Sequence, residues 1–371
     1  MKKFLDCISI VGATPSKFHG TKKYVSTGAV ATTEIDESEV VEVTYEDRPS
    51  RANLSAEAGD ILFAKMQGTR KTLLLDSETE KNIYSTGFYA VRANPEVITT
   101  ECLYYLIDSE LFLAQKDKNC SGATQKAITN GGMAKIEISV PALSEQGILV
   151  DKLKHLTQLI ADKKKQLNLF DEIIKSRFIE MFGDPKLNPR KWDMVTIGDI
   201  ATDVRYGTSR PATEGGRYPY LRMNNLTYEG YLDLTDLKHI DIPDNEIEKC
   251  VVRNGDVLFN RTNSVELVGK TCVYNLDSDM IIAGYIIRVR IDDRVLPVIL
   301  SSYLNSTVMK EQLRSMAKGA VNQANINAQE LRSIPIYLPP ITLQHEFATF
   351  VEQVDKSKYH GEFTCGMEVA A

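Results

Sequence analysis

The chain has 371 residues, of which 43% are hydrophobic and 25% are charged, and its formal net charge is −6 at pH 7. This length predicts two or three domains with cores of their own, and the composition is typical of a soluble globular protein. The net charge argues against a protein that coats nucleic acid by bulk attraction, although basic groups gathered on one face would still bind it. No apolar run approaches the roughly 18 residues of a membrane span. Six cysteines scattered without a Cys-x-x-Cys pair fit neither a disulfide framework nor a metal site, and they fit a reducing cytoplasm best.

The first 142 residues alternate β-prone segments with loops. Runs rich in β-branched and aromatic residues predict strands within 40–45, 60–66, 87–93 and 135–141. Apolar residues on one face of residues 100–116 predict a helix there. We therefore expect a domain of mixed strand and helix in this part of the chain.

A single long helix is predicted from Ser144 to Phe182. Its apolar residues recur in alternating steps of four and three, the period of a coiled-coil seam: Leu149, Leu153, Leu156, Ile160, Leu167, Phe170 and Ile174. Ser144 is a suitable N-cap, and Gly183 followed by Pro185 is a stop signal. At 1.5 Å per residue the helix would be about 58 Å long. An ordinary core helix is the alternative, but this length favours a rod that separates two domains.

The second half of the chain repeats the first. AGDILFAKM at 58–66 returns as NGDVLFNRT at 254–262, and IEISVPALSEQ at 136–146 returns as IPIYLPPITLQ at 334–344. A period of nearly 200 residues is too long for a solenoid unit and indicates a duplicated domain followed by a helix.

The repeat also predicts a partner for the rod. Phe347, Val351 and Val354 continue the seam in a second helix, and the pattern stops at 356–371, which predicts a helix about a third as long as the first. The fold class expected is α+β, with two duplicated domains and an antiparallel coiled-coil spacer whose second helix is shortened. The division expected is a first domain at 1–142, a spacer helix at 143–183, a second domain at 184–341 and a shortened helix with a tail at 342–371.

Motifs for catalysis are absent from the sequence. It contains no G-x-G-x-x-G cofactor loop, no G-x-x-x-x-G-K-[ST] phosphate loop, no H-E-x-x-H and no G-x-S-x-G. Its five histidines lie far apart, with no spacing that suggests a metal site or a triad. We expect no catalytic residue, no metal and no cofactor in this chain.

Side chains that can contact bases or phosphates follow a strand in each repeat and recur in a second, glycine-containing loop. Arg, Asn and Gln can bond base edges in the major groove, and Lys and Thr more often hold phosphate. The alternative is that these are solvated turn residues. The candidates in the first half are Lys65, Gln67, Thr69, Arg70, Lys71, Gln125 and Lys126, and those in the second half are Arg210, Asn260, Arg261, Thr262, Asn263, Lys270, Lys318, Asn322 and Gln323.

The chain resembles the specificity subunit of type I restriction–modification systems. The resemblance is carried by GDVLFNRTNSVELVGKT (255–271), GAVNQANINAQELRSIPIYLPPITLQ (319–344) and MFGDPKLNPRKWDMVTIGDIA (181–201), together with the two-fold repeat. It implies two target-recognition domains, each reading one half of a split double-stranded DNA sequence.

The resemblance also implies partners. Two modification subunits, which carry S-adenosylmethionine and methylate adenine, would dock on the antiparallel helices, and restriction subunits would cleave DNA with ATP and magnesium. Because those subunits would supply the chemistry, the chain itself would be non-catalytic. A protein-interaction scaffold with two repeated domains is the alternative, and the salt dependence of binding separates the two.

Overall fold

The computed structural model describes residues 1–317 and 324–369, with side chains described up to residue 358. The chain divides into two compact units, 1–160 and 161–371, and the division falls inside a 40-residue helix. Each unit holds one copy of the sequence repeat and part of that helix.

Unit 1 is built mainly from short strands. They are β1 (Lys2–Lys3), β2 (Ile8–Val11), β3 (Lys22–Val25), β4 (Val30–Ala31), β5 (Glu34–Ile35), β6 (Val41–Val43), β7 (Ala52–Leu54), β8 (Ile61–Ala64), β9 (Thr72–Leu74), β10 (Ile83–Ser85), β11 (Phe88–Ala93) and β12 (Glu137–Ile138). The helices are α1 (Thr100–Ile107), α2 (Glu110–Lys118), α3 (Asn130–Met133) and the first half of α4 (Leu143–Phe182).

Two four-stranded sheets form the body of unit 1, in the orders β6-β3-β10-β7 and β2-β11-β8-β9. All four residues of β8 are buried, because alternate side chains of this strand face two different cores. Ile61 and Phe63 pack into one apolar cluster, and Leu62 and Ala64 pack into the other.

The single helix predicted at 100–116 is wrong, because the structure has two helices there. α1 ends at Ile107, and Ser109 caps α2 by accepting a hydrogen bond from the backbone N–H of Phe112 at 3.2 Å. A serine in an extended conformation competes with the helix and starts a new one.

Unit 2 repeats this architecture. Its strands are β13 (Asp193–Thr196), β14 (Ala201–Tyr206), β15 (Tyr218–Leu221), β16 (Lys238–Ile240), β17 (Val251–Val252), β18 (Val257–Asn260), β19 (Thr262–Asn263), β20 (Thr271–Val273), β21 (Met280–Ile282), β22 (Ile286–Ile291), β23 (Ala324–Asn325) and β24 (Pro335–Leu338). Its helices, besides the second half of α4, are α5 (Ile197–Ile200), α6 (Asp244–Cys250), α7 (Pro297–Asn305), α8 (Thr307–Met316), α9 (Ala328–Arg332) and α10 (Ile341–Val369).

The sheet orders in unit 2 are β14-β22-β18-β20 and β16-β15-β21-β17. Each order matches one sheet of unit 1 strand for strand. The duplication predicted from the sequence is therefore a duplication of fold, and the mixed class of helix and sheet is confirmed.

One buried glutamine fixes the start of each long helix. Gln146 donates to the carbonyl oxygens of Val97 and Pro141, both at 3.0 Å, and accepts a hydrogen bond from the backbone N–H of Thr99 at 2.7 Å. Gln344 makes the same three kinds of bond, to the carbonyl oxygens of Arg294 and Pro339 and from the N–H of Leu296. Both side chains are fully buried, so each helix is tied to its own domain by satisfied polar groups.

In unit 2 the helices α4 and α10 pack antiparallel. Phe347 near the start of α10 lies 5.4 Å from Phe178 and 5.6 Å from Phe182, measured between ring centroids. Further along α10, Lys358 contacts Asp171, which lies about two turns before Phe178 and about three turns before Phe182 on α4. The antiparallel spacer is therefore present, and Phe347 and Val354 are buried in it as predicted.

Two features of the long helices differ from the predictions. α10 spans 29 residues against 40 for α4, so the expectation of a third of the length is wrong, although the second helix is the shorter one. α4 begins at Leu143, which places Ser144 inside the helix rather than at its N-cap.

The predicted seam is only partly covered. Ile174 and Val351 pack against the core of unit 2, and Leu153, Leu156, Leu167 and Phe170 are half-buried. Leu149 and Ile160 are 39% and 45% exposed. Val150, which is not a seam residue, is the α4 side chain that enters the core of unit 1.

Candidate nucleic-acid interface

In unit 1 the two candidate loops, residues 65–71 and 125–126, form one continuous surface. The backbone N–H of Gln67 donates to the carbonyl oxygen of Lys126 at 3.0 Å, and the N–H of Ile128 donates to the carbonyl oxygen of Lys65 at 2.9 Å. These bonds join segments that lie about 60 residues apart in the sequence, so the structure brings together two sets of residues that the sequence presented separately.

Unit 2 joins its loops in the same way. β19 pairs with β23 so that Thr262 faces Asn325, and the Thr262 hydroxyl donates to Asn325 Oδ1 at 3.0 Å. The backbone N–H of Ile326 donates to the carbonyl oxygen of Arg261 at 2.9 Å. The joined pair of loops is thus a property of the repeated fold.

The surface of unit 1 presents amides and lysines to solvent. Gln67, Gln125 and Lys126 are exposed, while Thr69 is half-buried. Lys65 lies over the ring of Tyr89, with its Nζ 4.3 Å from the centroid, and burial lowers the pKa of this lysine.

The two exposed amides each already donate once within the protein. Gln67 Nε2 donates to the Asp117 carbonyl oxygen at 3.2 Å, and Gln125 Nε2 donates to Met66 Sδ at 2.8 Å. The amide oxygen and the second N–H of each side chain remain for the paired acceptor and donor contacts that an adenine edge offers.

Two basic candidates in unit 1, Arg70 and Lys71, are held by strong bonds to the protein. Arg70 donates to Asp108 at 2.8 and 3.2 Å and to Glu110 at 2.9 Å, so two carboxylates neutralise it. The Nζ of Lys71 donates to the carbonyl oxygen of Thr27 at 2.7 Å. These contacts hold the β8–β9 hairpin in place and leave Arg70 and Lys71 less available to DNA.

In unit 2 the structure turns three candidates inward, since Thr262, whose hydroxyl donates to Asn325, is buried as well as Asn260 and Lys270. Asn260 is fully buried, and its side-chain oxygen accepts a hydrogen bond from Asn263 Nδ2 at 3.1 Å. Lys270 is 7% exposed, donates from Nζ to the carbonyl oxygen of Met223 at 2.8 Å, and has a pKa lowered by burial. Lys270 therefore does for unit 2 what Lys71 does for unit 1, and we leave Asn260, Thr262 and Lys270 out of the proposed contact surface.

A cavity of about 500 Å³ adjoins Arg261 in unit 2. Its lining includes two further arginines and a tyrosine, Arg210, Arg222 and Tyr285. The guanidinium of Arg261 lies over the ring of Tyr206 at 4.8 Å from the centroid. Arg261 Nη1 also donates to the Gly284 carbonyl oxygen at 3.5 Å. Stacking fixes the plane of the guanidinium, and its remaining outer N–H groups can bond a base or a phosphate.

The other arginines of this cavity are held by carboxylates at the surface. Arg210 donates to both oxygens of Glu246, at 3.1 and 2.8 Å, and Arg222 donates to Asp236 at 2.8 Å. Exposed ion pairs are worth only about 0–1 kcal/mol, so a DNA phosphate can replace the carboxylate at small cost. The basic concavity is therefore compatible with an anionic ligand.

The sequence did not single out Arg222, Tyr206 or Tyr285. Arg222 directly follows β15 as Arg261 follows β18, so the position after a strand could have identified it. Three of the predicted residues, Lys318, Asn322 and Gln323, lie outside the described residues.

The described residues contain no group of three or more His, Cys, Asp or Glu side chains placed to hold a metal ion. Within the same residues, no helix is both long enough and apolar enough to cross a membrane.

A family model matches both halves of the chain. The family is described as the type I restriction modification DNA specificity domain, and it matches residues 10–169 and 189–360. The two matches correspond to the two copies of the repeat.

Curated relatives carry the same description. The chain is 24% identical over 285 residues to the EcoKI specificity subunit of Escherichia coli strain K12, an alignment that covers 72% of this chain and 61% of the relative. It is 29% identical over 171 residues to the putative MjaX specificity subunit of Methanocaldococcus jannaschii, covering 45% of this chain and 40% of that one. It is 23% identical over 314 residues to the StySPI specificity subunit of Salmonella potsdam, covering 80% and 67%. The first two alignments thus span less than two thirds of the relatives' length.

Solved structures share the fold. A chain from a study of complex assembly and conformational transition of the type I restriction–modification system aligns with a TM-score of 0.52 at 20% identity, over 98% of this chain and 94% of that one. The S subunit of the type I system from M. genitalium aligns with a TM-score of 0.51 at 11% identity, over 100% and 92%. The family match over most of both halves decides the identity: this chain belongs to the type I restriction modification DNA specificity family.

Proposed function

We propose that this chain is the DNA-recognition subunit of a type I restriction–modification complex and that each unit contacts one half of a bipartite DNA target. The observation that carries the proposal is the joined pair of loops, which recurs in both units. In each unit this pair gathers side chains suited to DNA from two distant segments onto one surface.

The two surfaces supply different contacts. In unit 1, Gln67 and Gln125 can each bond an adenine edge, and Lys126 can hold a phosphate. In unit 2, the stacked Arg261 can bond a guanine edge through two N–H groups, and Arg222 can hold a phosphate. Such local placement gives a protein of negative net charge a surface that DNA can approach.

The helices α4 and α10 would act as the spacer and as the docking surface for two modification subunits. Exposed apolar residues on α4, such as Ile148 and Leu169, provide apolar surface that a partner subunit would bury on docking. In this proposal the S-adenosylmethionine, ATP and magnesium belong to the modification and restriction subunits, and the assembled complex acts in the cytoplasm.

The test is adenine methylome sequencing of cells that express the chain with its modification subunits. A two-part methylated motif is the expected result. A complex that methylates adenine without sequence preference would overturn the proposal.

Salt dependence separates DNA recognition from a role as a protein scaffold. Neutralising several phosphates makes the logarithm of the binding constant fall steeply with the logarithm of salt concentration, by about 0.9 per phosphate. Lys126→Gln should reduce this slope by about one such step. A flat salt dependence for the purified complex would favour the scaffold.

A further inference from the structure

Three elements of unit 2 meet at one polar cluster. Tyr231, in the loop after β15, donates from its hydroxyl to Asp171 Oδ1 on α4 at 2.8 Å. Lys358, on α10, donates from Nζ to the same oxygen at 2.6 Å and also to the Tyr231 hydroxyl. We call Asp171, Tyr231, Lys358 and the neighbouring Asp355 the junction cluster.

The junction cluster is largely shielded from water. The side chains of Asp171 and Lys358 are 14% and 12% exposed, and Lys358 Nζ lies 4.2 Å from the centroid of the Tyr231 ring. Burial, followed by the charge of Asp171, raises the pKa of Tyr231, so the phenol keeps its proton and remains a donor. Asp355 Oδ1 lies 3.5 Å from Lys358 Nζ, so one ammonium serves two carboxylates.

The loop that presents Tyr231 is closed by hydrogen bonds within itself, and it is anchored in the domain by Leu226, which is fully buried in an apolar cluster that Leu232 also packs against. The backbone N–H of Thr227 donates to the carbonyl oxygen of Tyr231 at 2.9 Å, and the N–H of Tyr231 donates to the Thr227 hydroxyl at 3.1 Å. Gly230 has a φ of +101°, and a Cβ there would lie 2.6 Å from Asn305 Nδ2 on α7. A displacement of Tyr231 would therefore require a displacement of the domain.

The apolar contacts at this junction are incomplete. A cavity of about 410 Å³ separates part of the domain from the helices, and its lining includes Ile174, Leu232 and Val351 as well as Asp171 and Asp355. Apolar contact is non-directional and tolerates sliding, whereas a buried polar group is satisfied in only one arrangement. Phe178, Phe182 and Phe347 pack into the core of the domain at one end of this junction, and beside the cavity the polar bonds are the contacts that specify how the domain sits on the helices.

We propose that Tyr231 is a positioning residue: through its bonds to Asp171 and Lys358 it sets the register of the second domain on helices α4 and α10, and thereby the number of base pairs between the two half-sites. This inference rests on the proposed function. Tyr231 touches no base in this scheme and acts only by holding the domain that does.

The test compares the methylomes of cells that express the wild-type complex and the complex with Tyr231→Phe. The substitution removes one hydroxyl and keeps the ring and the Asp171–Lys358 pair, so the fold should survive. A hydrogen bond to a charged group is worth about a tenfold step in an equilibrium constant. We therefore expect methylation at sites whose gap is one base pair longer or shorter to rise by about tenfold, with both half-sequences unchanged.

A second variant and a matched control complete the design. Lys358→Met leaves Asp171 and Asp355 without their shared cation and should broaden the gap further. Tyr274→Phe removes the hydroxyl of a fully buried tyrosine of the same unit, which donates to the Ser278 carbonyl oxygen in the loop between β20 and β21 rather than to a residue of either helix. This control should keep the wild-type gap.

The outcomes are distinguishable. A single unchanged gap in Tyr231→Phe would overturn the positioning role, as would a changed half-sequence or equal broadening in Tyr274→Phe. A wild-type complex that methylates no two-part motif would instead refute the proposed function.

Discussion

The length of α4 should determine the number of base pairs between the two half-sites of the DNA target. A four-residue insertion between Asp162 and Gln166 tests this prediction. The site lies next to the division between the units at residues 160 and 161. The polar contact between α4 and α10 at Asp171 and the aromatic contacts beyond it all lie C-terminal to the insertion. Neither domain core nor either contact surface is altered.

The size of the effect follows from helix geometry. Four residues at 1.5 Å each lengthen the rod by about 6 Å and turn it by about 400°, so the seam returns to nearly the same face. DNA rises 3.4 Å per base pair, so the gap should widen by one to two base pairs. An insertion of two residues turns the distal seam by about 200° and should impair assembly instead.

The assay is the methylated motif in cells that express each variant with its partners. We expect both half-sequences to be retained and only the gap to change. A constant gap, or a changed half-sequence, in the four-residue variant would refute the idea that α4 measures the distance between half-sites.

Three further predictions concern single side chains of unit 2. Arg261→Ala should cost about 1–3 kcal/mol of discrimination at one half-site only, measured by binding to DNA with single base changes, and an effect at both half-sites would contradict the assignment. Gln344→Leu should lower the free energy of unfolding by about 3 kcal/mol or more because three buried backbone partners lose their bonds, whereas Gln353→Leu at an exposed position of the same helix should change it by less than about 0.5 kcal/mol. Burial, with nearby cations adding to it, lowers the pKa of Lys310 from 10.5 to about 7, so the unfolded chain binds more protons between these values and stability should rise with pH from about 7 to 10.5. Lys310→Met removes this contribution together with the bond from Nζ to the Gly269 carbonyl oxygen at 2.9 Å, so the stability of the variant should rise less steeply with pH than that of the wild type, and a parallel pH profile would contradict the burial argument.

The sequence predicted the features that depend on periodicity and repetition. The 3.5-residue spacing located α4 to within one residue at its start, and the repeat predicted two domains of the same fold. These features can be predicted from the sequence because an apolar seam must pack against another helix, whatever the arrangement of the domains. The four-part division of the chain stays a prediction, since contacts divide it into two units.

The sequence could not predict which polar residues face inward. Asn260 ends a strand buried on both faces, and Lys270 reaches a carbonyl oxygen 47 residues earlier in the chain. Such contacts depend on the neighbouring sheet, which no spacing along the chain reveals. The length of α10 was underestimated for a different reason: residues 356–369 lack a seam but also lack proline, and two glycines cost a helix only about 1 kcal/mol each.

The two units share their scaffold bonds and differ in the surface that faces a ligand. Arg92 of β11 donates to Asp60 at 2.6 Å, and the equivalent Arg290 of β22 donates to Asp256 at 2.8 Å. The two strands occupy corresponding positions in the sheets of the two units. In contrast, residues 65–71 of unit 1 present an exposed glutamine, whereas residues 261–270 of unit 2 begin with the stacked Arg261 beside a basic cavity. The bonds that hold the fold are the same in both copies, and the residues of the proposed contact surfaces differ. Two different surfaces on one scaffold should recognise two different half-sequences, so a palindromic target would be inconsistent with this pair of domains.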